Sequence, residues 1–169
     1  MPGHDLSYVG LGANLTHPTF GPPVATLDMA VAALVEMGLM LVAKSPWYES
    51  APVPLADQPW YVNGVVALRS SLNAVEMLQR LHEVEARFGR VRSVVNAPRV
   101  VDLDLLDHHG EIRDGETPPI LPHPRLAARG FVLLPLRDIA PHWHHPVTQQ
   151  GVAELILALP QDQVARPLS

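Results

Sequence analysis

The chain has 169 residues, long enough to bury a substantial core, and one domain over 1–169 is the simplest expectation. Cysteine is absent, which excludes disulfides and thiolate metal or redox chemistry, and a formal net charge of -5 lacks the basic face with which nucleic-acid binders displace counterions from phosphate. The longest apolar runs fall well short of the ~18 to 20 residues a membrane span needs, and the N-terminus lacks the basic-then-apolar layout of a secretory signal, so a soluble cytoplasmic protein is expected.

Residues 6–12, LSYVGLG, read as a first strand ending in glycines. After a proline-containing loop, Val24, Leu27, Val31, Leu34 and Val35 recur at helical spacing up to a stop at Gly38. LMLVAKSPWYES (39–50) reads as a second strand and YVNGVVALRSS (61–71) as a third, expected to pair antiparallel across the short connection 51–60. A second helix is predicted from Asn73 to Phe88, with Asn73 as N-cap, Glu76 three residues on and Gly89 as the stop. Residues 90–98 have no strong period and read as a mobile loop. RVVDLDLLD (99–107) reads as a strand, followed by a polar turn, the segment LPHPRLAARGFVLLPLRDIAP (121–141), and a last helix near 149–159. Strand, helix, strand, strand, helix, strand is the split βαβ order of a ferredoxin-like α+β fold, an antiparallel sheet with helices expected on one face.

The fourth strand poses the chemical question. Alternation puts Val101, Leu103 and Leu105 on one face and Asp102 and Asp104 on the other, about 6.6 Å apart at ~3.3 Å per residue. Like charges so close raise each other's pKa unless something positive lies beside them. An all-oxygen pair suits Mg²⁺, which takes one or two carboxylates and completes its shell with water and substrate phosphate. Read alone, however, the pair is more simply a polar sheet face alternating with a core one. Lys44 is the only lysine, while Arg87, Arg90, Arg92 and Arg99 gather just upstream of the aspartates; guanidinium forks suit phosphate oxygens, and surface arginines kept for solubility are the competing explanation.

GLGANL at 10–15 lacks the third glycine and the following helix of a dinucleotide fingerprint, and no GxxxxGK[ST] exists. Gly10 and Gly12 are therefore expected to admit close approach of another backbone or a ligand. HWHH at 142–145 invites a metal assignment, but no carboxylate follows at a familiar spacing and Pro146 argues for a loop. His123, between prolines in LPHPR, is held in a locally fixed backbone.

Four segments together, YVGLGANL (8–15), SPWYESAPV...DQPWYVN (45–63), GRVR...APRVVDLDLL (89–106) and LPHPRLAARGFVLLPLRDIAP (121–141), resemble in order the signatures of the 6-hydroxymethyl-7,8-dihydropterin pyrophosphokinases of folate biosynthesis. The resemblance spans about residues 6–160 and is most specific in the last two segments. It implies a ferredoxin-like fold, two Mg²⁺ ions, and transfer of the terminal pyrophosphoryl unit of ATP to the pterin hydroxymethyl group with release of AMP. By this resemblance Asp102 and Asp104 are the metal ligands and, with Arg90 and Arg99, the catalytic residues; Arg90, Arg92, Arg99, Glu85, His123 and Arg129 contact ATP. Tyr61 and Phe131 sandwich the pterin, Asn63 meets its amide-like edge, and Ser50 and Val53 add further contacts. The loops 90–96 and 51–60 are expected to close over the substrates, and the protein is expected to act as a monomer without nucleic-acid or membrane partners.

Departures from the pattern carry expectations of their own. Ala13 stands where serine is common, which predicts a lost hydroxyl contact, and His82 replaces a frequent glutamine. Val95-Asn96 replaces a basic residue and a tryptophan, which predicts weaker closure or slower turnover. Two rivals remain at this stage: a metal-dependent phosphohydrolase using the same carboxylates and arginines, and a ligand-binding module with a decayed site.

Overall fold

The computed structural model describes residues 5–52, 59–89 and 100–168. Its elements are β1 (Leu6–Ala13), α1 (Pro23–Glu36), β2 (Met40–Lys44), β3 (Tyr48–Ser50), β4 (Tyr61–Arg69), α2 (Ala74–Arg87), β5 (Asp102–His108), a 3₁₀ turn (Leu126–Ala128), α3 (Gly130–Ile139), α4 (Val152–Leu157) and β6 (Ala165–Pro167). All strand pairs are antiparallel, in the order β5-β1-β4-β3-β6, with β2 also on β4. This is the α+β antiparallel sheet expected from the element order.

The predicted 39–50 strand divides in two. Ser45 inserts its hydroxyl into the ladder, accepting from the Val65 N–H at 3.0 Å. Pro46 has no N–H to donate, and the Trp47 ring lies over Gly64, where a Cβ would come within 2.6 Å of it. The chain therefore leaves β4 and returns three residues later, with β2 on the far end of β4 and β3 on the near end. Both pairings are antiparallel, as expected.

Helices cover both faces of the sheet rather than one. On the first face Val9, Leu11, Val66, Leu68, Leu103 and Leu105 pack under α1 and α2. On the second, Tyr8, Val65, Ala67 and Leu106 pack under α3 and α4. The helix α3 has no local helix signal in the sequence, since Pro135 sits inside it and Gly130 begins it. Asn73 closes the predicted capping box on α2: its side chain accepts from Glu76 N at 2.8 Å, and Glu76 accepts from Asn73 N at 3.0 Å. No helix among the described residues is long and apolar enough to cross a membrane.

Candidate active site

Register places the site. Gly12 faces both Asp102 of β5 and Asn63 of β4, and Gly10 faces Asp104 and Val65. Ser50 pairs with Tyr61 one step further along. Directly paired residues point the same way, so the aspartates, both glycines, Asn63, Ser50 and Tyr61 share the face on which α3 packs. α3 covers only part of that face. Beside its N-terminus the glycines leave a floor without side chains, and a cleft of about 440 Å³ opens, lined among others by Asp102, Asp104, Asn63, Tyr61, Arg129 and Phe131. Both glycines are closely approached, but by side chains of their own sheet: the Asn63 amide takes the space beside Gly12, and Leu106 lies against Gly10.

Within the cleft the polar groups are oriented by neighbours. The Ser50 hydroxyl donates to Asn63 Oδ1 at 2.7 Å, which leaves the Asn63 amide NH₂ turned toward Gly12. A methyl group at position 12 would lie only 2.8 Å from that nitrogen. Arg129 Nη1 lies 3.7 Å from Asp104 Oδ2, and its guanidinium stands 5.4 Å from the Phe131 ring centroid. Arg129 therefore links the acidic end of the cleft to its aromatic end.

His123 is tethered to β5 by its own N–H, which donates to Leu106 O at 2.8 Å. Burial, then the positive charges of Arg129 and Arg125, push its pKa down to about 4 against the opposing pull of Asp102. The ring is thus neutral at physiological pH. Its Nδ1 accepts from Arg125 N at 3.1 Å, so the remaining proton resides on Nε2, on a ring that feels the Asp102 charge without being one of the cleft-lining residues.

Two sequence expectations change. Glu85 is fully buried and is not one of the cleft-lining residues; its Oε2 accepts from Leu103 N at 2.9 Å, on the α2 face of β5 opposite the aspartates. From there it braces the strand that carries them, because the residue after Asp102 is the one it holds. Ala13 points into the core formed with α1 and α2, so the missing serine hydroxyl costs the cleft no contact. Val53, Arg90, Arg92, Asn96 and Arg99 lie outside the described residues. Conversely, Arg125 and Gln163 line the cleft without having been assigned a role. Arg125 was visible in the PHPR string; Gln163, in a segment without periodicity, offered no signal.

The all-oxygen pair Asp102 and Asp104, half-buried over a side-chain-free floor, fits a hard divalent cation such as Mg²⁺. A second group does not fit a metal as well. His108, His109 and Glu111 bring ligand atoms within 4.8 Å of one another, but His108 is engaged at both nitrogens, Nδ1 with Ser7 Oγ at 2.7 Å and Nε2 with Leu72 O at 3.0 Å. The two imidazoles also stack at 3.8 Å and 17°, which confines their lone pairs to two nearly parallel planes and keeps both from pointing at one ion. In HWHH, His145 Nδ1 accepts from Val147 N and Thr148 N, and Trp143 donates to the buried Asp107 at 2.8 Å, so the cluster builds a turn and anchors it.

A family model described as 7,8-dihydro-6-hydroxymethylpterin-pyrophosphokinase (HPPK) matches residues 8–141. The 2-amino-4-hydroxy-6-hydroxymethyldihydropteridine pyrophosphokinase of Pseudomonas aeruginosa is 41% identical over 160 residues, covering 94% of each chain. That of Synechocystis sp. is 39% identical over 149 residues, 88% of this chain and 73% of its own. Among solved structures, the Plasmodium falciparum HPPK-DHPS wild type shares the fold with a TM-score of 0.66 at 14% identity, covering 89% of this chain and 44% of its own. Sequence match and sheet architecture converge on one conclusion, that this chain belongs to the 7,8-dihydro-6-hydroxymethylpterin-pyrophosphokinase family.

Proposed function

We propose that the cleft binds ATP and 6-hydroxymethyl-7,8-dihydropterin side by side and transfers the β,γ-pyrophosphoryl unit to the pterin hydroxymethyl oxygen, a step of folate biosynthesis. The observation that carries this reading is the single sheet face on which an acidic pair, a glycine floor and an aromatic-amide end succeed one another. In the reaction a bond forms from the hydroxymethyl oxygen to the β-phosphorus, the bond from that phosphorus to the oxygen retained by AMP breaks, and the hydroxyl proton is lost.

Each residue has a part in positioning or charge. Tyr61 and Phe131 hold the flat ring by stacking, and the Asn63 amide, fixed by Ser50, donates to its heteroatom edge. Asp102 and Asp104 would hold Mg²⁺, two ions in our reading, which supplies charge neutralisation on the phosphate oxygens. Neutral His123 donates from Nε2, and Arg129 spans the boundary between the two substrates. Arg90, Arg92 and Arg99 are assigned to the transferring group, Val53 to the pterin, and the loops around 90–96 and 51–60 to closure that keeps water from the activated phosphorus. Little covalent work is left to the protein in such a transfer; positioning and electrostatics dominate.

The test is incubation with ATP, Mg²⁺ and the reduced hydroxymethylpterin, followed by chromatography of the nucleotides. AMP that appears only when pterin is present supports the proposal. ADP or free phosphate released without pterin would instead identify a phosphohydrolase.

A further inference from the structure

The helix α3 carries two cleft residues at its first turn, Arg129 at the N-cap and Phe131 just inside, yet no side chain of the helix caps it. The first N–H groups of a helix have no partner within it and need one from elsewhere. Here one comes from the far end of the chain. Gln163 Oε1 accepts from Gly130 N at 3.2 Å, across a sequence separation of 33. The approach is close enough that a Cβ on residue 130 would sit 3.0 Å from Gln163 O, which gives a spatial reason for glycine in the R-G-F string.

The same C-terminal strap grips the opposite wall. Ala51 N donates to Val164 O at 3.2 Å, and β6 pairs with β3 so that Ala165 lies opposite Ser50. The Arg166 guanidinium is ion-paired with Glu49 and lies 4.8 Å from the Trp60 ring centroid. Residues 163–166 therefore bridge the wall that holds Ser50 and the wall that holds Phe131, at the aromatic end of the cleft.

We propose that Gln163 is a positioning residue for the pterin subsite: by capping α3 in place of a local side chain, it fixes Phe131 at the distance from Tyr61 and Ser50 that the substrate ring requires. This deepens the functional reading above and rests on it. Arg129 shares the turn but is also tied to Asp104, so the ATP side depends less on the cap.

The experiment compares the wild type with Gln163→Leu, which keeps the volume and removes the acceptor, and Gln163→Glu, which keeps an acceptor oxygen at a helix N-terminus where negative charge is favourable. Loss of an N-cap acceptor predicts a rise of about fivefold in the KM for pterin in Gln163→Leu, with the KM for ATP changed less than twofold. Gln163→Glu should restore the pterin KM to within about twofold of the wild type. Hydrogen exchange of the Gly130 amide, followed by NMR in the free protein, should quicken in Gln163→Leu and stay slow in Gln163→Glu. An unchanged pterin KM, equal rises for both substrates, or a Gln163→Glu variant as impaired as Gln163→Leu would overturn the assignment. Wild-type protein that makes no AMP would refute the functional reading instead, while the Gly130 exchange would still decide whether the cap exists.

Discussion

At the scale of single residues, the cleft depends on what is missing as much as on what is present. Gly12 has no side chain, and that space is occupied by the Asn63 amide, held there by Ser50. Gly12→Ala should therefore displace Asn63 and weaken pterin binding by about tenfold, the worth of roughly one well-placed hydrogen bond, measurable by titration calorimetry. Unaltered pterin affinity would mean that Asn63 does not read the ring. His123 makes a different prediction. Its folded pKa of about 4 lies below the ordinary 6.5, so between those values the unfolded chain binds more protons and stability is lost as pH falls through the window. Burial lowers His108 and His145 in the same sense, whereas Asp107, raised by burial, acts oppositely near the bottom of the range. Thermal melts of His123→Gln without divalent cations should fall less steeply from pH 6.5 to 4 than those of the wild type. Parallel slopes would remove His123 from the acid response.

Among the elements, β5 is the one whose placement matters most, and it is fastened from both sides. Leu103 and Leu105 enter the α1 and α2 core, while Glu85 reaches from α2 to accept the Leu103 N–H. Replacing Glu85 by leucine strands a buried donor at a cost of about 1–3 kcal/mol and should lower the thermal midpoint, with turnover falling because the aspartates follow their strand. If stability drops but ATP affinity and turnover hold, the bracing role is wrong. The alternation around Asp102 and Asp104, the capping box at Asn73 and the stops at Gly38 and Gly89 were legible in the sequence because each rests on a local rule of period or cap. The division of 39–50, the helix through Pro135 and the short strand β6 were not, because each is decided by a distant partner: β4 for the first, the sheet's second face for α3, and the edge of β3 for β6. Glu85 was picked out by resemblance as a nucleotide contact, and its burial is a tertiary fact that no local pattern expresses.

For the whole molecule, an acidic chain of net charge -5 builds a cleft in which Arg129 lies beside Asp104 and Arg125 lines the same walls, so that positive charge is gathered at one place instead of over a broad basic surface. In the proposed reading both substrates sit on one sheet face, which is open because β1, β4 and β5 lie in register there and α3 stops short of covering them. The C-terminal strap then joins the two walls at the end remote from the aspartates. The central claim is that Asp102 and Asp104 seat the metal–nucleotide while the rest of the face seats the pterin, and titration calorimetry of Asp102→Ala and Asp104→Ala against each substrate tests it most directly. The account predicts loss of turnover, loss of Mg²⁺-dependent affinity for a non-hydrolysable ATP analogue, and pterin affinity that falls far less. Equal losses for both ligands, or Mg²⁺-dependent nucleotide binding that survives either substitution, would contradict it.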